Sequence, residues 1–120
     1  MASQVSVLGF LHVNVEVTDL ERALAFYKLF NLRWLDRQGS PGRVGAWLGL
    51  PDGRELHISQ GSAKPHSRAH FAIRVADLAA ARRAVEAAGA PIETEREIDG
   101  LIRFFTRDPD GNRIEVVQLI

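Results

Sequence analysis

The sequence predicts an α+β fold of two tandem modules, each running strand, helix, strand, strand, strand. Three observations lead there. Shifted by 58 residues, the chain matches itself without a gap, with ten identities over the 62 overlapping positions. Ordinary residue usage would give about four, and an internal repeat decides the architecture before any local reading. Each half then opens on a strand-period run that passes into a helix-period run. Turn signals recur in register, Pro51-Asp52-Gly53 over Pro109-Asp110-Gly111.

Leu11, Val13, Val15 and Val17 alternate with His12, Asn14 and Glu16, a half-buried strand. Thr18 followed by Glu21 resembles a capping box. Leu20, Ala23, Leu24, Tyr27 and Phe30 recur at helical spacing and predict an amphipathic helix over 19–31. Strands are expected near 33–38, 43–50 and 54–60, separated by Gly39-Ser40-Pro41-Gly42 and Pro51-Asp52-Gly53. The second half repeats the plan, with a strand over 69–75 and an alanine-rich helix over 78–88. Gly89 suits a left-handed cap there. Strands near 91–96, 101–107 and 113–119 complete it.

Apolar content of 46% and charged content of 25% over 120 residues fit one domain, about 8–119. Module 1 covers about 8–60, a polar linker 61–68 and module 2 about 69–119. Fifteen basic residues balance fifteen acidic ones, which argues against a nucleic-acid or anionic-membrane partner. Near-zero net charge offers little resistance to self-association. The absence of cysteine excludes disulfides, thiolate nucleophiles and thiolate metal sites. No targeting or membrane-spanning segment is visible, so a cytoplasmic location is expected.

The repeat superposes His12 on His70 and His57 on Glu115. If the apolar face of each first and last strand packs on its module's helix, these four side chains point to the other face. Paired modules could then gather them in one concavity. Imidazoles with one carboxylate suit Zn, Ni, Fe(II), Mn or Co. His66 has no repeat counterpart and reads as a solvated linker residue. Asp52 and Asp110 read as turn formers, and Glu16 and Glu55 as ordinary strand-surface carboxylates. Trp34, Trp47, Phe104 and Phe105 read as core or cavity wall.

These residues carry a resemblance to the vicinal oxygen chelate superfamily of glyoxalases, bleomycin-resistance proteins and extradiol dioxygenases. Its carriers are Leu11-His12-Val13, Val17-Thr18-Asp19-Leu20-Glu21-Arg22-Ala23, Phe26-Tyr27 and Glu55-Leu56-His57-Ile58. In the second half they are His70-Phe71-Ala72-Ile73-Arg74-Val75, Asp77-Leu78 and Asp108-Pro109-Asp110-Gly111-Asn112-Arg113-Ile114-Glu115. The resemblance implies paired βαβββ modules curving around a metal-binding cavity, a divalent metal cofactor, a small-molecule substrate and a homodimer. It maps the family's ligands onto His12, His57, His70 and Glu115, with His57 either a ligand or an acid/base behind the ligands. The implied chemistry is Lewis-acid catalysis on a substrate chelated through neighbouring oxygens, with Glu115 and His57 as catalytic residues.

A glyoxalase-like lyase or isomerase is the reading the resemblance favours. A ring-cleaving Fe(II) dioxygenase and a metal-free small-molecule binding protein of the bleomycin-resistance type are the alternatives. Two positions depart from familiar members. Glu16 stands where glutathione-dependent glyoxalases carry Arg, and Phe105 stands where extradiol dioxygenases usually carry Tyr.

Overall fold

The computed structural model describes residues 4–36, 42–65 and 68–120. In the first module β1 (His12–Val17) leads to α1 (Leu20–Tyr27), a 3-10 turn (Lys28–Phe30), β2 (Arg33–Trp34), β3 (Gly45–Gly49) and β4 (Glu55–Gln60). The second contains β5 (His70–Arg74), α2 (Leu78–Ala87), β6 (Leu101–Arg107) and β7 (Arg113–Leu119). The strands form two separate sheets, ordered β1-β4-β3-β2 and β5-β7-β6. In each, the first strand lies parallel to the last at the sheet edge, and the hairpin before the last strand is antiparallel. The α+β architecture and the duplicated plan therefore match the sequence reading.

Several identities in the repeat belong to one device. Asp19 and Asp77 cap their helices by accepting from the amides of Arg22 and Ala80. Gln60 and Gln118, from each module's last strand, accept from the amides of Leu20 and Leu78. Two otherwise orphaned donors at each helix start are thus satisfied, and the start is tied to its sheet. The expected Thr18–Glu21 capping box is replaced by Asp19, because the Thr18 hydroxyl is spent on Asp110 at 2.6 Å. Gly53 and Gly111 hold φ of 89° and 93° in the matching turns, a conformation that costs glycine little.

Three element predictions need correction. The helix expected over 19–31 becomes α1 plus the 3-10 turn, ended by Asn31 in the left-handed region at φ 53°. The strand expected near 91–96 shrinks to a single bridge between Glu93 and Phe105. Pro91 supplies no N–H to a ladder, and Glu93 and Glu95 instead turn their carboxylates to arginines on the adjoining strands. The strand near 33–38 is recorded only at Arg33–Trp34; Leu35 and Asp36 lie outside any strand, and 37–41, with Gly39-Ser40-Pro41, fall outside the described residues, as does His66.

One core serves both modules. Val15, Val17, Phe26, Tyr27 and Ile58 from the first pack with Val85, Phe104, Ile114 and Val116 from the second. Burial of this apolar surface is the main driving force for folding. The modules are also tied by polar contacts around the Asp108–Asn112 turn. Tyr27 Oη donates to buried Asp108 Oδ2 at 2.8 Å. Asp110 accepts from the Thr18 amide and hydroxyl and from Arg22, and Asn112 donates to the Glu16 carbonyl. Asp110 is therefore an inter-module fastener as well as a turn residue, which corrects the sequence reading. Burial, then the charge and hydrogen bond of Asp108, push the Tyr27 hydroxyl well above its ordinary pKa, so it remains a donor.

Candidate metal centre

Because strand side chains alternate, the apolar residues of each sheet take the core side. By the same alternation His12, His57, His70 and Glu115 take the opposite faces. The structure brings these four together as two pairs rather than one group. Among the described residues, no three His, Asp or Glu side chains converge as a metal site.

The second-module pair has the more informative geometry. His70 opens β5, and Glu115 lies on β7 beside Ala72 in the parallel register. His70 Nδ1 stands 2.9 Å from the Arg68 carbonyl oxygen, and a carbonyl can only accept, so Nδ1 carries the proton. In the neutral ring Nε2 then presents a lone pair to Glu115 Oε1, 3.4 Å away. The doubly protonated ring would instead donate to Glu115 from Nε2, so the pair can serve as an ion pair or as two ligands of one ion. The 3.4 Å gap also suits two ligands of one ion, each bonded at about 2.0–2.2 Å. Glu115 Oε2 accepts from Arg103 Nη1 at 3.1 Å. The floor is Phe105, the cross-strand partner of Glu115, with its ring edge-on to His70 at 5.3 Å.

The first-module pair is a ring stack. His57 is 8% exposed, sandwiched between Trp47 at 4.1 Å and His12 at 4.0 Å. Its Nε2 lies 2.9 Å from Glu55 Oε1, and the carboxylate accepts, so that nitrogen is the donor. Only Nδ1 of the neutral ring is left to act as a ligand. His12 stands exposed at the end of the stack. Glu55, read from sequence as an ordinary surface carboxylate, is instead the residue that orients His57. Trp47 and Phe105 do form the walls of these sites and Phe104 is core, whereas Trp34 is 52% exposed and is neither.

A cavity of about 490 Å³ lies between the modules, lined by Val13, Tyr27 and Leu56 from one and Phe71, Ile73 and Ile114 from the other. His12 and His70 also line it. Around Glu115 the polar face carries three arginines that the sequence reading did not single out. Arg113 lies 3.7 Å above the Phe105 ring and pairs with Glu93 and Glu95, and Arg107 pairs with Glu93. The Arg107 hydrogen bond, helped by Arg113 and opposed by burial, holds the Glu93 carboxyl below its usual range. The alternation Arg103, Phe105, Arg107 along one strand was the available signal.

Comparison with known proteins agrees with this architecture. The family model for the Glyoxalase/Bleomycin resistance protein/Dioxygenase superfamily matches residues 9–116. Among solved structures, a protein assigned to the glyoxalase family from Bacillus anthracis is 26% identical, with a TM-score of 0.82 over 98% of this chain and 100% of its own. A mutant of the fosfomycin resistance protein FosX from Listeria monocytogenes, complexed with Mn(II) and 1S,2S-dihydroxypropylphosphonic acid, is 19% identical. Its TM-score is 0.81 over 96% of this chain and 95% of its own. Lactoylglutathione lyase from Agrobacterium tumefaciens is 21% identical, with a TM-score of 0.72 over 93% and 94%. The last two likenesses concern fold alone. A search of the curated proteins finds no match.

Proposed function

We propose that this chain, which belongs to the Glyoxalase/Bleomycin resistance protein/Dioxygenase superfamily, is a metal-dependent lyase or isomerase. Its substrate on this reading is a small molecule chelated through two neighbouring oxygens. The observation that supports the reading is His70 Nε2 beside Glu115 Oε1 at 3.4 Å, an imidazole and a carboxylate spaced as two ligands of one ion would be. The FosX mutant complexed with Mn(II) adds a relative of the same fold with a divalent ion.

On this reading His70 and Glu115 hold the ion together with His12 of a second copy of the chain. Three features support the second copy. His12 and His70 each open an edge strand, β1 and β5, in sheets that do not join. Val5, Val7, Leu8, Phe10 and Leu11 are each 80% or more exposed just before β1, and exposed apolar side chains gathered in one segment mark contact sites. The radius of gyration of 15.6 Å exceeds the roughly 13.6 Å of a compact domain of this length.

A divalent ion here would supply Lewis-acid stabilisation of negative charge on the substrate's paired oxygens. Glu115 is the base that moves a proton between the adjacent carbons. Phe105 closes the floor of the site. His57 positions His12 by stacking, held in turn by Trp47 and Glu55, and does not ligate the ion through Nε2.

Elemental analysis of protein purified without chelators tests the reading, with His70→Ala and Glu115→Ala as controls. Wild type is expected to retain a divalent metal and to elute as a dimer, and both variants to lose the metal while staying folded. Wild type that binds none of Mn(II), Ni(II), Zn(II) or anaerobic Fe(II) would sink the enzyme reading. Oxygen uptake with catechols that depends on Fe(II) would replace the lyase by a dioxygenase.

A further inference from the structure

We propose that the cavity between the modules takes a small apolar molecule carrying one carboxylate, with Arg74 as the residue that selects for the charge. The proposal rests on the reading above only in placing the substrate beside His70, and it needs no bound ion. The cavity of about 490 Å³ has the size of a small-molecule pocket. Val13, Phe30, Leu32, Leu50, Ile73 and Ile114 line it with hydrocarbon. An apolar body that enters it leaves water without stranding a polar group of its own.

The acids and arginines of the cavity wall divide into paired and unpaired. Asp52 and Arg54 pair with each other at 3.0 Å, and Glu55 is held against His57 at 2.9 Å. Arg74 alone of this group has no hydrogen-bond or ion-pair partner among the described residues. Its cross-strand neighbour on β7 is Val117, and Ala72 precedes it on the same face of β5. Glu115, diagonal to it, already has Arg103 and His70 beside its two oxygens. A guanidinium left free at the edge of an apolar cavity presents the planar fork that a carboxylate fits. One unpaired cation balances one negative charge. A phosphate carries about 1.5–2 and would need a second cation, and Arg54 is taken. From His70 to Arg74, β5 runs about 13 Å. A molecule of that length could meet Arg74 with its carboxylate and reach His70 with its other end, passing the small side chain of Ala72.

The test is calorimetric titration of the full chain with octanoate and with 1-octanol, with and without EDTA, comparing wild type with Arg74→Met and Ala72→Leu. Wild type should bind octanoate about three- to tenfold tighter than octanol, the gain of one charged hydrogen-bonded pair at an open site. That preference should shrink in high salt. Arg74→Met should erase it, weakening octanoate and leaving octanol unchanged. Arg74 is exposed, and if R74M does not fold, R74Q carries the same test. Ala72→Leu narrows the cavity and should weaken both ligands together, which binding to the exposed segment before β1 would not do. The proposal is overturned if wild type binds neither ligand or binds both equally. A preference that survives the loss of Arg74, or that EDTA removes, overturns it as well, as does an Ala72→Leu protein that binds both ligands like wild type. None of these outcomes alters the metal content measured for the reading above, and a wild type without metal leaves the carboxylate preference standing.

Discussion

In the first module the Pro51-Asp52-Gly53 turn serves only itself. Asp52, half exposed, accepts from the amide and guanidinium of Arg54 two residues on. Its counterpart Asp110 has a side chain only 6% exposed and reaches across to Thr18 and Arg22 in the other module. The same tripeptide thus shapes a local turn in one half and joins the halves in the other. The acid/imidazole pairs diverge in the same manner. His57 is packed between rings and given a carboxylate partner, while His70 is left facing an acceptor. Duplication preserved the devices that start each helix and released the positions where the modules meet each other or meet a ligand.

The comparison can be broken most sharply at the acid/imidazole pairs. Glu115→Ala and His70→Ala should abolish metal loading, a loss larger than any supporting residue can cause. His57→Ala should weaken Mn(II) binding by about 10–100-fold without abolishing it, the usual cost of a residue that orients a ligand. Calorimetric titration separates the two classes, and equal losses in all three would make His57 a ligand after all.

The turns come next. Asp110→Ala should cost about 1.5–3 kcal/mol in urea unfolding, because the Thr18 amide, the Thr18 hydroxyl and Arg22 lose a charged acceptor. Asp52→Ala should shift the midpoint far less, and equal shifts would refute the asymmetry. Acid unfolding sharpens the point. Burial alone would raise the Asp110 pKa, but hydrogen bonds from Thr18 and the charge and hydrogen bond of Arg22 outweigh it and hold the carboxyl low. Because the folded value is depressed, the stabilisation is full above the ordinary value of 3.8 and is lost as pH falls through the lower folded value. The stability gap between wild type and Asp110→Asn should therefore close below that pH. The smallest effects belong to the symmetric devices. Gln60→Ala and Gln118→Ala should each cost about 0.5–1.5 kcal/mol, with Gln118 the larger because its bond to Leu78 is the more buried.

Much of the fold was legible because alternation and helical spacing report burial directly. Val15 and Val17 on one side of β1, with His12 and Glu16 on the other, announced a two-faced strand, and the repeat announced the second module. The loss of the 91–96 strand was less legible. Glu93 and Glu95 look like strand residues until arginines from neighbouring strands claim them, and that competition depends on tertiary placement. The site was legible as residue types and faces but not as pairings. No spacing tells that Glu55 reaches His57, that the Arg68 carbonyl fixes the His70 tautomer, or that Arg103 sits diagonal to Glu115. The last depends on sheet register, which is set by both strands together, and the first two on the side-chain and backbone conformation of residues two apart.

The Trp47–His57–His12 stack also gives the protein an optical reporter of its own. The Trp47 indole lies within 4.1 Å of the His57 ring and nearly parallel to it, and His57 in turn covers His12. An electronic change on the outer imidazole is therefore relayed to a fluorophore through two ring faces. Trp34, half exposed and remote from the stack in sequence, supplies the background. In a Trp34→Phe protein the remaining emission would follow events at His12 without any added label, and a Trp47 signal that ignored added Mn(II) would show that nothing binds at that end of the stack.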